Sequence, residues 1–562
     1  MWKKAKWREI AIGVSLVNLC FLRVWTELLT YTPAQSYEMR LPPGPSDYLA
    51  VCLNVAVWGS LLGLLGLELD LAGYKQRPAA QWAFLLLLLV PLNALRSVLA
   101  SHLPVGQQYL KGGLYAALGP AGLAVFGTVI AAGGAFALRR WRESVFHAAR
   151  AVLLALLPCV PLTLLQAAWK ARHYDPRPFA DQPAPRPFGD QPARRPLAAQ
   201  SDHRRFDPAK RPAGRVVWVI FDEWDQRLTF DDRLEGLALP EIDRFRSQSL
   251  AAGNAYPPAP ATLESMPSLI SGRIVHKAVP AGPSELRLTF VDGGPPAQWR
   301  DLPNVFGVAR ALGFETALAG VYHPYCRVLA RDLTSCWWAE MPRPINSSGE
   351  TLGALMLGQT RSLLESWRLS AFGQSLSTRR KAREFSQALA RAQSVAADPS
   401  YGLVLVHLLT PHFPHAYDRA TRDFTLGNAP FEGYYDSLAL TDLALGELRR
   451  AMEAAGTWES TAVLLSSDHA LRHAALLDGK SDSRVPFLLK LAGQAEMLTY
   501  EPEFNTVITR DLLIEVLQGR FSGPRHAARW LDGHRHTKQG YRQTRQGHGQ
   551  SKQRPGQTEQ SD

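Results

Sequence analysis

RVVWVIFDEWD, residues 215–225, holds six consecutive apolar residues that run straight into two adjacent carboxylates, Asp222 and Glu223. A short unbroken apolar run reads as a strand buried on both faces, as in a parallel sheet. Open α/β sheets bind ligands just past the carboxyl ends of such strands. A carboxylate there is costly to desolvate unless it meets a cation or a partner. Taken alone, the stretch also allows a plainer reading, an acidic cap on a following helix. The sequence on either side decides between them.

From Arg215 to about Arg520 the chain alternates two kinds of pattern. Strand-like runs fall at 216–221, 315–321, 402–409, 461–466 and 485–491. Helix-like segments fall at 240–250, 263–271, 304–312, 379–396, 434–455 and 510–517. Gly313 and Gly456 follow two of these helices, where a left-handed C′ residue belongs. The alternation predicts an α/β domain with a mainly parallel sheet and helices on both faces.

Chemistry-bearing residues gather at the ends of those runs. Asp222 and Glu223 follow the first, His412 follows GLVLVHLLTP, and Asp468 with His469 follows TAVLLSS. Thr262 heads the helical segment TLESMPSLISGR. In a parallel sheet three of these strand ends open on one edge. One crevice would then collect carboxylates, imidazoles and a hydroxyl, a donor set suited to a divalent cation. Zinc or manganese fits that mixture best, with calcium or magnesium as harder alternatives. A cation-bound Thr262 hydroxyl would lose its proton more readily and act as a nucleophile. A helix N-terminus beside it favours an incoming anion such as phosphate. The competing reading of Thr262 is an ordinary N-cap.

Five apolar segments precede this domain, at 10–29, 48–69, 81–100, 112–138 and 145–169. Each is long enough to cross a bilayer, which takes about 20 residues. Lys3, Lys4, Lys6, Arg8, Lys75, Arg77, Arg139, Arg140 and Arg142 fall in one set of loops, against Arg40 and Lys111 in the other. That bias places the N-terminus in the cytoplasm, and five spans put residues after Trp169 outside it. The chain thus divides into a five-span anchor (1–170), a linker (171–214), the α/β domain (215–520) and a basic tail (521–562). The linker is Pro-rich, repeats PRPFADQPA as PRPFGDQPA, and reads as a spacer. The tail, rich in Gln, Gly, Arg and His, reads as disordered. The net charge of +12 lies largely in short loops, linker and tail, and does not point to nucleic acid. Cys326 and Cys336 would pair as a disulfide if their domain faces an oxidising compartment.

The motifs VVWVIFDE, TLESMPSLISGR, HLLTPHFPH, YYDSLALTDLALGEL and VLLSSDH, in this order, resemble the sulfatase-like branch of the alkaline phosphatase superfamily. The nearest members are the membrane phosphoethanolamine transferases and lipoteichoic acid synthases. The resemblance implies that Glu223, with or without Asp222, holds the catalytic metal together with Thr262, Asp468 and His469. It implies Thr262 as the nucleophile that carries a phospho-intermediate, and His412 as the group assisting substrate or leaving group, or a second metal. His407 is read as structural. Sulfatases carry a Cys or Ser in C/S-x-P-x-R, but counting back from Gly272-Arg273 places Thr262 at the nucleophile and Met266 at the arginine. Thr262 with Pro267 five residues on matches the transferases instead. The family's usual DHG reads DHA at Ala470.

The resulting expectation is a membrane-anchored, metal-dependent phosphotransferase acting on phosphodiesters of envelope lipids or lipid-linked glycans. Its alternatives are a phosphodiesterase or sulfuric ester hydrolase using water, and a catalytically silent envelope scaffold.

Overall fold

Val216–Phe221 is a strand buried at every residue, and it lies at the centre of the larger sheet. The computed structural model describes residues 2–38, 43–71, 78–102, 104–173, 214–339, 351–365, 371–413, 415–425 and 433–535. The Pro-rich linker from 174 to 213 and the tail beyond 535 lie outside the described residues. The chain forms two compact units, Met1–Asp181 with Met341–Arg380, and Gln182–Glu340 with Lys381–Asp562. Within the stretch read over 215–520, helix Leu352–Glu365 belongs to the first unit.

That first unit is helical. Its helices are Trp2–Cys20, Leu22–Leu29, Pro45–Leu71, Pro78–Leu87, Leu89–His102, Pro104–Ala155 and Cys159–Arg172, joined by Leu352–Glu365 from the later segment. Two spans, Pro45–Leu69 and Pro78–Leu99, are long and apolar enough to cross a membrane; bent pairs at 7–29 and 125–172 make four if each counts as one. The five expected spans thus become two to four among the described residues. Helix Pro104–Ala155 runs through the basic stretch taken as a loop, with non-helical backbone at Gly119 and Trp141. Trp2–Cys20 and Pro45–Leu71 pack backbone against backbone: a Cβ on Gly63 would fall 2.5 Å from Ile10 Cα. Small residues permit such an approach.

Several buried polar groups in this unit are paired. Arg150 clasps Glu9 through two hydrogen bonds, Nη1 to Oε2 at 2.9 Å and Nη2 to Oε1. Asn54 Nδ2 donates to Met356 O at 3.0 Å and to Gln359 Oε1 at 3.2 Å, and Gln359 Nε2 donates to Asp47 O at 3.0 Å. These bonds seat helix Leu352–Glu365 on Pro45–Leu71.

Among the described residues the second unit carries 14 strands, numbered along the chain. They are β1 (Val216–Phe221), β2 (Leu250–Tyr256), β3 (Val275–Gly282), β4 (Glu285–Phe290), β5 (Ala297–Gln298), β6 (Thr316–Val321) and β7 (Ser335–Ala339). There follow β8 (Leu403–Leu408), β9 (Tyr417–Asp418), β10 (Asp423–Phe424), β11 (Ala462–Ser466), β12 (Val485–Lys490), β13 (Leu498–Tyr500) and β14 (Phe504–Asn505). The larger sheet runs β13-β2-β12-β11-β1-β8-β6-β7, with β14 also on β2. Its strands are parallel except β12, which runs against β11 and β2. Val217, Val219 and Phe221 share one core with Leu438, Leu445 and Leu448 of helix Gly433–Ala454.

All five expected strands and six expected helices are present. The helix read over 240–250 stops at Ser247, because Leu250 opens β2, an element absent from the sequence reading. Strand β7 is likewise new. Gly313 and Gly456 have φ 94° and 69°, the left-handed conformation their C′ positions require. The tail boundary needs correction: Pro524–His534 is a helix that buries Ala527 and Leu531, and its Asp532 accepts from Tyr500 at 3.0 Å. Those two apolar residues stand four apart, on one helical face, so disorder does not begin at 521.

Candidate metal centre and nucleophile

Strands β11, β1, β8 and β6 are consecutive and parallel, so the residues after each emerge on one edge. Asp222 follows β1, with its N–H donating to Leu408 O at 3.1 Å. Asp468 and His469 follow β11. Ser467 joins these two strand ends: its Oγ accepts from Trp224 N at 3.0 Å and lies 2.6 Å from Phe221 O.

Asp222, Asp468 and His469 are fully buried and offer ligand atoms that all lie within 4.8 Å of one another. His469 Nε2 is 3.6 Å from Asp222 Oδ1 and 3.5 Å from Asp468 Oδ2. Among the described residues no donor reaches either Asp222 oxygen or Asp468 Oδ2 in hydrogen-bonding geometry, although the Thr262 hydroxyl is close enough to favour both charges. Buried carboxylate oxygens left in this state are costly, and a divalent cation resolves the cost. The two carboxylates and one imidazole fit a zinc or manganese ion. Burial, followed by the charges of Asp468 and Glu223, holds the Asp222 carboxyl well above its ordinary range. Burial also opposes the charge on Asp468, but the neighbouring His469 and His407 bring its carboxyl below the ordinary value.

Thr262 is buried at the start of helix Thr262–Ser271, with Oγ1 3.3 Å from His469 Nε2. The capping position belongs to Ala261, and no side chain caps that end. The hydroxyl is therefore turned to the metal group rather than spent on the helix. Ser265 Oγ, one turn on, donates to Asp468 O at 2.5 Å and ties the helix to β11.

Glu223 does not join the three-residue group. Its Oε1 accepts from Arg472 Nε at 2.8 Å, and Oε2 stands 3.9 Å from His412 Nε2. Burial works against its charge, but His412, His469 and Arg472 together keep its carboxyl below the ordinary value. Asp222, rather than Glu223, faces the shared pocket. His412 is partly exposed at the rim, its pKa lowered first by burial.

The sequence reading missed His323 and Arg472. His323 lies two residues past β6, the same strand-end signal that found the others, and its Nε2 bonds Thr262 O at 3.0 Å. Burial pushes its imidazole down to about 3, so neutral Nε2–H donates to that carbonyl. His407, read as structural, borders the site: Nε2 is 3.8 Å from Asp222 Oδ2 while Nδ1 bonds Tyr325 Oη at 2.8 Å. Burial brings it down to about 4. Cys326 and Cys336 form a disulfide away from these groups, between helix Tyr325–Val328 and β7.

A family model described as Sulfatase matches residues 215–507, more than half of the chain. The chain belongs to the sulfatase family. Lipoteichoic acid synthase LtaP from Listeria monocytogenes is similar at 12% identity and TM-score 0.35, over 55% of this chain and 73% of its own. Phosphonate monoester hydrolase from Agrobacterium radiobacter matches at 12% and 0.35, over 54% and 73%. An alkaline phosphatase superfamily protein from Vibrio parahaemolyticus matches at 14% and 0.33, over 56% and 71%. No curated protein matches the sequence. Sulfatase-family enzymes are metal-dependent hydrolases or phosphotransferases, in keeping with the Asp222–Asp468–His469 group.

Proposed function

We propose that this sulfatase-family protein is a membrane-anchored phosphotransferase that acts outside the cytoplasm on phosphodiesters of envelope lipids or lipid-linked glycans. The observation that carries the reading is the Thr262 hydroxyl, buried at a helix N-terminus and 3.3 Å from His469, beside Asp222 and Asp468 oxygens that have no hydrogen-bond partner among the described residues. Asp222, Asp468 and His469 would hold the cation, which when bound supplies positive charge that favours a deprotonated hydroxyl and an anionic substrate. Thr262 Oγ, as the alkoxide, forms a bond to phosphorus as the bond to the leaving oxygen breaks, giving a phosphothreonine-like intermediate; the departing alkoxide takes a proton from water and leaves as the alcohol. An acceptor hydroxyl then attacks the same phosphorus and releases Thr262. His412 Nε2, neutral and at the rim, takes the acceptor's proton. His323 holds the Thr262 carbonyl and so the direction of its side chain.

The disulfide Cys326–Cys336 favours an oxidising compartment for this unit, and the basic bias of the N-terminal loops favours a cytoplasmic N-terminus. Candidate spans at 45–69 and 78–99 suit an anchor, which brings a lipid-linked substrate within reach.

The test uses the full chain in detergent, loaded with zinc or manganese, on bis(4-nitrophenyl) phosphate and on vesicles containing phosphoethanolamine or phosphoglycerol lipids with an alcohol acceptor. Turnover, and a phosphorylated Thr262 peptide by mass spectrometry, are expected for the wild type only. A fully active Thr262→Ala protein overturns the mechanism; product formed equally without acceptor makes the enzyme a hydrolase.

A further inference from the structure

Glu223 and Arg472 stand beside the metal group without belonging to it, and the mechanism above leaves them unused. Glu223 is buried, with backbone φ 63°. A non-glycine residue holds that conformation only when its surroundings impose it. Here Tyr434 Oη donates to Glu223 O at 2.9 Å, and the N–H groups of Trp224 and Asp225 donate to Ser467 Oγ and Tyr434 Oη, each at 3.0 Å. The carboxylate so aimed accepts from Arg472 Nε at 2.8 Å. Beyond it, Arg472 Nη2 comes within 3.4 Å of His412 Nε2, and Nη1 has no hydrogen-bond partner among the described residues. The side chain stays 45% exposed.

Charge at the site makes this pairing informative. A divalent cation offsets Asp222 and Asp468, but a bare Glu223 beside them would repel an anionic substrate. Arg472 cancels that charge on one edge and leaves donors open on the other. We propose that Arg472 is the anion-binding residue of this site, its free Nη edge taking a non-reacting oxygen of a substrate phosphate while Glu223 fixes the guanidinium in place. A planar guanidinium suits this task, since it can bond a carboxylate with one edge and a phosphate with another. Its signal in the sequence is slight, one arginine four residues after Asp468. The inference deepens the phosphodiester reading and rests on it for the choice of phosphate.

Calorimetric titration of the metal-loaded full chain with inorganic phosphate tests the assignment, together with titration of the metal-free chain with zinc or manganese alone. Arg472→Ala is expected to weaken phosphate binding about 10-fold or more, with metal binding unchanged or tighter because Glu223 is released towards the cation. Arg472→Lys, which keeps charge but not the fork, is expected to recover only part of the loss. Wild-type phosphate affinity in Arg472→Ala, no phosphate binding by the wild type, or joint loss of metal and phosphate in the variant overturns the proposal. Turnover of bis(4-nitrophenyl) phosphate by wild type but not Thr262→Ala is scored on the same preparations. Its absence overturns the phosphodiester reading alone, because phosphate binding is read without turnover.

Discussion

The helical unit and the sheet edge of the second unit treat buried charge in opposite ways. In the helical unit Arg150 and Glu9 meet through two hydrogen bonds, and Asn54 and Gln359 close a second polar seam. At the edge of the sheet, both oxygens of Asp222 and Oδ2 of Asp468 are buried without a donor among the described residues. A buried charge with its partner in place belongs to the architecture. A buried carboxylate left open persists when a ligand completes it, and such groups concentrate at functional sites.

Substitution is the direct way to break that contrast. Thr262→Ala should lower turnover at least about a thousandfold, with thermal unfolding and membrane insertion unchanged; initial rates beside a melting curve check this. Asp468→Ala should lose the bound metal by elemental analysis of the full chain. Zinc or manganese should raise the melting temperature of the wild type but not of this variant.

The helical unit should respond to pairing rather than to ligand. Glu9→Gln leaves Arg150 buried without its counter-charge and should cost about 3–5 kcal/mol. Glu9→Leu with Arg150→Met should cost much less. Thermal aggregation midpoints in detergent separate the two outcomes, and metal should shift neither. Asn54→Ala, which removes hydrogen bonds to helix Leu352–Glu365, should cost about 1 kcal/mol.

A smaller effect sharpens the comparison inside the second unit, where Asp442 is buried but satisfied. Its Oδ1 accepts from Ile242 N at 2.8 Å, and burial lifts its pKa from 3.8 to about 6. The folded protein therefore binds a proton more tightly than the unfolded chain. This contribution is complete below pH 3.8 and is lost as the pH rises through 6. Asp442→Asn, uncharged throughout, should become more stable relative to wild type between pH 4 and pH 8. The gain is limited by about 1.4 kcal/mol per displaced unit, and melting curves across that range measure it.

Much of the sheet was legible because its central strands are buried on both faces and leave a local mark. VVWVIF is a strand over the six residues read as one. Strands β2 and β7 leave no such mark. LAAGNAY, with Gly253 and Asn254, becomes a strand by pairing with β12 and β13, and SCWWA by pairing with β6. The helix Pro524–His534 was hidden by a polar, basic composition in which only Ala527 and Leu531 reach the interior.

The sequence by itself determined the α/β class, the strand ends that carry Asp222, His412 and Asp468, and the threonine where sulfatases carry Cys or Ser. Local pattern sufficed, because strand burial and helix initiation act over a few residues. Only the tertiary structure gave the capping position to Ala261 and brought the Thr262 hydroxyl to His469, 207 residues away. Only the tertiary structure separated Asp222 from Glu223. Adjacent in sequence, they diverge because the backbone turns left-handed at Glu223 and Arg472 draws its carboxylate away from the metal group.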